Sequence, residues 1–425
     1  MPFKVPSLPK LWKRGNPQEQ FTNHCKGLPV SDYKSLEILG TGASGSFGIV
    51  KQCKKLCKKN KENFVLKELM DDDTEQKKLF IKEANLLHQL QHENIVKFHS
   101  VVLSENRKYA FLMEYMCFDF CYFGNDSKVS TLKELLCSLD NYCNFSGFEH
   151  LSLCIANDIS RGLAFLHRND VAHRDLKPDN VLVSNQHYTS DTITKFWETK
   201  PIIAKITDFG ESRSKLIQTS TLLHSKTANI NRGTPVFMAP EICKKETSEM
   251  TLDHLKMTDV WSMSMIFFLL INPDRRYPYE EEIRDLKKSG MTPAEIMKNV
   301  YANFKLPLQS DKYAKLRIND QWSNIEKAYI FFLQNLKRGQ QFLRSSQFWR
   351  RNVELRRGKG IVVQFKSGLQ TSVYNHLEFR TKYKPFAQAY LTTSLYINKW
   401  KIILLKWSLW TDVPRTVLAR GPRHN

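Results

Sequence analysis

His173-Arg174-Asp175-Leu176-Lys177-Pro178-Asp179-Asn180 gathers several distinct chemical capacities into eight residues. Asp175 can accept or orient a hydroxyl proton. Lys177 can neutralise a phosphoryl group in transit, and Asn180 offers an amide oxygen to a hard cation such as Mg2+. Short apolar runs at Val181 to Val183 and Ile202 to Ile206 follow and read as a hairpin, interrupted by a polar insertion from Asn185 to Lys200. Behind them comes Asp208-Phe209-Gly210. By itself that tripeptide is a turn signal; one hairpin after Asn180 it reads as a second oxygen ligand for the same ion.

Phosphoryl transfer needs a cover for the phosphates, a cation on them, metal ligands and a group that orients the attacking hydroxyl. The first two lie upstream. Leu39 to Val50 carries Gly40, Gly42, Gly45 and Gly48 between two strand patterns, where the absence of a Cβ lets backbone N–H groups approach phosphate oxygens. Phe64-Val65-Leu66-Lys67 ends an apolar strand in a lysine, and Glu83 on the helical pattern Thr74 to Leu90 is its expected partner. In that helix Leu79, Ile81, Leu86, Leu87 and Leu90 form the expected apolar side. Strand patterns at Leu36 to Gly40, Ile49 to Cys53, Ile95 to Val102 and Tyr109 to Tyr115 complete a small β-rich lobe. Helical patterns at Leu132 to Leu139, Leu151 to His167, Asp259 to Leu270, Thr292 to Tyr301 and Trp322 to Phe332 build a second lobe. A cleft between two such lobes is where a small ligand binds.

These motifs resemble the eukaryotic protein kinase superfamily, serine/threonine type, with a loose likeness to its tyrosine-kinase-like branch. The resemblance implies an α+β bilobal fold, a small β-rich N-lobe on a larger, mainly helical C-lobe. It makes Asp175 the catalytic base beside Lys177, Asn180 and Asp208 the Mg2+ ligands, and Lys67 with Glu83 the ion pair of the active state. It puts Met113 at the back of the adenine pocket and makes Glu114 to Met116 the hinge, with Val50, Val65 and Leu182 sandwiching the adenine of ATP. Gly233 to Glu241 resembles the family's substrate-docking loop, and Asp259-Val260-Trp261-Ser262 resembles the start of its central helix. A protein substrate carrying Ser or Thr is implied. So is an upstream activating kinase, since Arg174 beside Asp175 is the family's receptor for a phosphate on the activation loop. That loop, Glu211 to Arg232, offers Ser212, Ser214, Thr219, Ser220, Thr221, Ser225 and Thr227.

Two features depart from the family pattern. The glycine loop is longer than usual, and no Asp-Pro-x-x-Arg-Pro segment closes the C-lobe, so Arg344, Arg350 and Arg351 are only candidates for the arginine that pairs with Glu241. The expected organisation is a flexible leader at 1–32, a kinase domain at 33–335 and an extension of unknown structure at 336–425. A pseudokinase or nucleotide-binding scaffold is the rival reading.

Composition sets the wider frame. The 425 residues are 41% apolar and 25% charged, which fits a globular chain. The net charge is +21, yet residues 336–425 hold 18 Lys/Arg against three acids, so most of the excess lies there. Basic and aromatic residues together can follow a nucleic-acid backbone, but no nucleic-acid-binding motif accompanies them. Nine cysteines form neither a disulfide framework nor a zinc pattern, and the longest apolar stretch, Val260 to Ile271, is too short to span a bilayer. An intracellular, cytoplasmic protein without a membrane span is therefore expected.

Overall fold

Strand-forming sequence between Tyr33 and Glu114 folds into one antiparallel sheet. The computed structural model describes residues 33–41, 49–55, 63–69, 74–103, 109–189, 191–214, 235–243, 251–288 and 306–331, a few single positions between 290 and 333, and three short strands beyond 350. Strands β1 (Tyr33–Thr41), β2 (Ile49–Lys55), β3 (Asn63–Glu68), β4 (Phe98–Leu103) and β5 (Tyr109–Glu114) lie in the order β1-β2-β3-β5-β4. Helix α1 (Thr74–Gln89) follows β3. Its buried residues are Phe80, Ala84, Glu83, Leu86 and Leu87, with Ile81 only half-buried. Phe80 stacks on Phe111 of β5 with ring centroids 3.9 Å apart, joining the expected Leu86, Leu87 and Leu90 on the buried side.

The helical lobe begins after β6 (Phe118–Asp119) and β7 (Lys128–Val129). Thr131 caps α2 (Leu132–Cys143): its hydroxyl accepts from Glu134 N, and the Glu134 carboxylate accepts from Thr131 N. Such a reciprocal cap satisfies two N–H groups that a helix otherwise leaves open. Helix α3 (Glu149–Arg168) leads into β8 (Val171–Ala172). The hairpin β9 (Val181–Ser184) and β10 (Ile203–Ile206) pairs antiparallel, with Leu182 opposite Lys205. β11 (Arg213–Ser214) then returns to β8.

The polar insertion of that hairpin contains a helix, α4 (Ile193–Thr199), and an aromatic cluster that its composition concealed. Trp197 packs on Phe123, Phe148 and His150 at centroid distances of 4.7, 5.4 and 4.6 Å. The Tyr188 hydroxyl donates to Pro201 O, and Tyr188 stacks with Phe196.

After α5 (Pro240–Cys243), helix α6 (Leu252–Leu270) runs through the centre of the lobe. It begins seven residues before the expected Asp259, where Thr251 caps it. From Leu255 to Leu270 every residue is buried, Lys256 and Asp259 included. Helix α7 (Glu280–Lys287) and a helix at 320–331 complete the described lobe. Most of the expected helix Thr292 to Tyr301 lies outside the described residues. The extension, expected to be of unknown structure, contains a three-stranded antiparallel meander: β12 (Val353–Arg357), β13 (Ile361–Phe365) and β14 (Thr371–Tyr374). No described helix is long and apolar enough to cross a membrane.

Candidate active site

The lobes meet at Lys67. Antiparallel pairing puts it opposite Val50 of β2 and Phe111 of β5, and Nζ lies 3.2 Å from Glu83 Oε1 and 2.8 Å from Asp208 Oδ1. Burial alone would lower the pKa of this lysine, but the Asp208 and Glu83 carboxylates outweigh it and raise the pKa well above its ordinary value. Burial pushes the Glu83 carboxyl up while Lys67 opposes the shift. Lys67 in turn holds Asp208 below the usual carboxylate range. One cation thus joins the strand, the helix and the segment after β10.

The loop from His173 to Asn180 hangs from α6. Asp259, fully buried, accepts from His173 N at 2.8 Å and Arg174 N at 2.7 Å, and its Oδ2 lies 3.0 Å from His167 Nε2. These bonds hold Arg174 at φ +74°, a left-handed conformation that costs a non-glycine residue on the order of 1–3 kcal/mol. His173 Nδ1 accepts from Asp175 N, so its Nε2 carries the hydrogen donated to Thr207 O at 2.9 Å. Its ring also meets Phe209 edge-on, at 5.1 Å. Asp208 follows Thr207 at φ +63°, which brings its carboxylate to Lys67.

Asp175 Oδ2 accepts from Lys177 Nζ at 2.8 Å and Asn180 Nδ2 at 3.1 Å. Asn180 Nδ2 also donates to Asp175 O at 2.8 Å. Both partners are acceptors, so the amide nitrogen faces Asp175 and the amide oxygen faces away. Asp208 has one oxygen on Lys67 and keeps 42% of its side chain accessible. Two hard oxygen donors at the open end of the β9–β10 hairpin, beside the Val181–Ile206 pair, fit a Mg2+ ion.

Val65 pairs in register with Met113; both are buried, as is Met116, and Leu182 is half-buried. Glu114, expected in the hinge, also has a side-chain role. Its carboxylate takes Lys205 Nζ in a bidentate ion pair at 2.7 and 2.9 Å and accepts from Lys97 N at 2.6 Å. The Glu114 side chain is committed to tying β5 to β10, and its N–H donates to Lys97 O at 3.0 Å. Lys205, three residues before Asp208, escaped the sequence reading.

Gly40 pairs with Val50 in β1–β2, whereas Gly42, Gly45 and Gly48 lie outside the described residues. So do Arg344, Arg350, Arg351 and most of the activation loop. Ser212 and Ser214 are described and buried; Ser212 Oγ donates to His173 O at 3.3 Å and Ser214 pairs with Val171. Neither is presented to another enzyme in this conformation. The docking loop is held from α6, where Ser262 Oγ donates to Phe237 O at 2.9 Å.

This two-lobed fold and its ion-paired cleft are those of a eukaryotic protein kinase. Residues 33–347 match the family model for the protein kinase domain, and the chain belongs to that family. It is similar to serine/threonine-protein kinase 33 of Bos taurus, 26% identical over 287 residues that make up 66% of this chain and 51% of that protein. It is also similar to serine/threonine-protein kinase CLA4 of Candida albicans, 27% identical over 258 residues, 61% of this chain and 22% of that protein. The chain thus spans about half of the first relative's length and under a quarter of the second's. The family generally uses ATP and Mg2+.

Proposed function

We propose that this chain is a serine/threonine protein kinase that transfers the γ-phosphoryl group of ATP to a hydroxyl on a protein. The observation that carries the reading is the assembled cleft, with Lys67 between Glu83 and Asp208 and with Asp175 bonded to Lys177 and Asn180. Lys67 holds the nucleotide phosphates, Val50, Val65, Leu182, Met113 and Met116 enclose the adenine, and the backbone of Glu114 to Met116 recognises its edge. Gly40, Gly42, Gly45 and Gly48 cover the phosphates. Asn180 and Asp208 would hold Mg2+, which when bound neutralises charge on the phosphates. Asp175 orients the acceptor hydroxyl and takes its proton as the new P–O bond forms. The bond from the γ-phosphorus to its bridging oxygen breaks, ADP leaves, and Lys177 offsets charge on the group in transit.

Activation by an upstream kinase fits a phosphate docked on Arg174, at Thr219, Ser220, Thr221, Ser225 or Thr227. Cys117, Cys121, Cys137, Cys143 and Cys154 are free thiols, which favours a reducing, cytoplasmic setting. The test is transfer of labelled phosphate from ATP with Mg2+ to a generic basic protein, followed by identification of the modified amino acid. Phosphoserine or phosphothreonine, abolished by Asp175→Asn, is expected. Nucleotide binding with no transfer would overturn the reading in favour of a scaffold.

A further inference from the structure

Helix α6 grips the polypeptide leading to the catalytic loop at a second point, three residues before Asp259. Lys256, in the second turn of the helix, has only 6% of its side chain exposed. Its Nζ lies 2.5 Å from Asp170 Oδ1 and 3.8 Å from Asp253 Oδ1. Asp170 stands at φ +57° immediately before β8, where α3 has ended and the chain must reverse toward His173. A left-handed aspartate at such a corner is unfavourable without something to hold it. Burying a lysine is equally unfavourable without a partner. Asp170 supplies the nearer of the two carboxylates that neutralise Lys256.

Spacing along the helix gives the pair its meaning. Lys256, Asp259 and Ser262, each three residues on, reach in turn the corner at Asp170, the backbone of His173 and Arg174, and Phe237 of the docking loop. Residues three apart are neighbours on a helix surface, so one rigid element sets three successive distances. Asp259 holds the loop by its middle, and pairing with β11 holds β8 along one side. With Lys256, its upstream end is fixed as well.

We infer that Lys256, through Asp170, is a positioning residue for phosphoryl transfer, holding β8 so that Asp175 stands in register with the nucleotide cleft. The inference rests on the kinase reading above. Its test compares Lys256→Met, Lys256→Arg, Asp170→Asn and the Lys256→Met/Asp170→Asn double variant with the wild-type chain. The measurements are kcat, KM for ATP, thermal midpoint and amide exchange at residues 171–176. Methionine fits the buried volume and leaves Asp170, 38% exposed, to water, so the midpoint should move little. The expected kcat loss for Lys256→Met is at least tenfold, as small misplacements of a reacting group cost, with KM within about twofold and faster exchange at 171–176. Arginine should recover most of the rate, and the double variant should lose no more than the worse single one. A lowered midpoint with unchanged kcat would show a merely structural pair and overturn the inference, as would independent, multiplicative losses. Absence of transfer by the wild-type chain would instead overturn the kinase reading, while amide exchange would still report whether Lys256 holds β8.

Discussion

Gly162 sits mid-way along α3 where the helix crosses the backbone of Asn94, and substituting alanine there tests how the two lobes are joined. In an exposed helix interior, Gly→Ala stabilises by about 1 kcal/mol. Here a Cβ would stand 2.7 Å from Asn94 O and 3.1 Å from Ile206 Cδ1. The first obstacle is backbone and cannot rotate away. Asn94 O also accepts from Ile206 N at 2.9 Å, and Asn94 Nδ2 donates to Ala204 O at 3.0 Å, so moving Asn94 strains the link between the segment after α1 and β10. Overpacking costs about 1–3 kcal/mol and a weakened buried hydrogen bond about 1 kcal/mol. After the propensity gain, a net loss of about 2 kcal/mol remains, or roughly 3 °C in thermal midpoint for a domain of this size. Scanning calorimetry measures the midpoint, and amide exchange should be faster at Val96 and Ile206, which carry the link. A variant as stable as wild type, with unchanged exchange at Ile206, would refute the packing argument.

Burial holds His150 at about pKa 4, below its ordinary 6.5, and its Nε2 has no hydrogen-bond partner. The unfolded chain therefore binds this proton first, so stability is full above pH 6.5, declines as pH falls to about 4 and then levels. That contribution is at most about 3 kcal/mol; His150→Phe should flatten the acid limb of midpoint against pH, and an unchanged limb would count against it. Trp197→Ala should cost about 1–3 kcal/mol and speed exchange across 187–200, while phosphoryl transfer persists; loss of transfer would tie the insertion to the chemistry. The cleft sets Glu83, Asp175 and Asp208 against Lys67 and Lys177, so ATP titrated calorimetrically with a chelator should bind at least about tenfold more weakly than with Mg2+. Equal affinity would contradict that charge balance.

The catalytic loop was legible because its chemistry is written in consecutive residues, and Asp208 because a single hairpin separates it from Asn180. Lys67 and Glu83 were legible through strand and helix patterns, which the backbone converts into one ion pair. Other ties were not, for a physical reason. Lys205 and Glu114 are 91 residues apart and Lys256 and Asp170 are 86 apart, and a lysine and a carboxylate at such separations look like solvated surface until topology joins them. Gly162 reads as a weak point in a helix rather than a crossing. Tyr188, Phe196 and Trp197 were lost among the polar residues of the insertion, since aromatic side chains without a period give no pattern to follow.

The insertion between β9 and β10 also offers a handle. Its stems are drawn together by His187 Nε2 on Lys200 O at 2.7 Å and by Tyr188 on Pro201 O, while Asp191, Thr194, Lys195 and Glu198 face outward. A segment closed at its base tolerates cargo at its tip. A small reporter domain spliced at Asp191 would ride on the large lobe with the hairpin beneath it intact. Paired with a second label on the sheet, it would let lobe opening be followed in single molecules as substrate comes and goes.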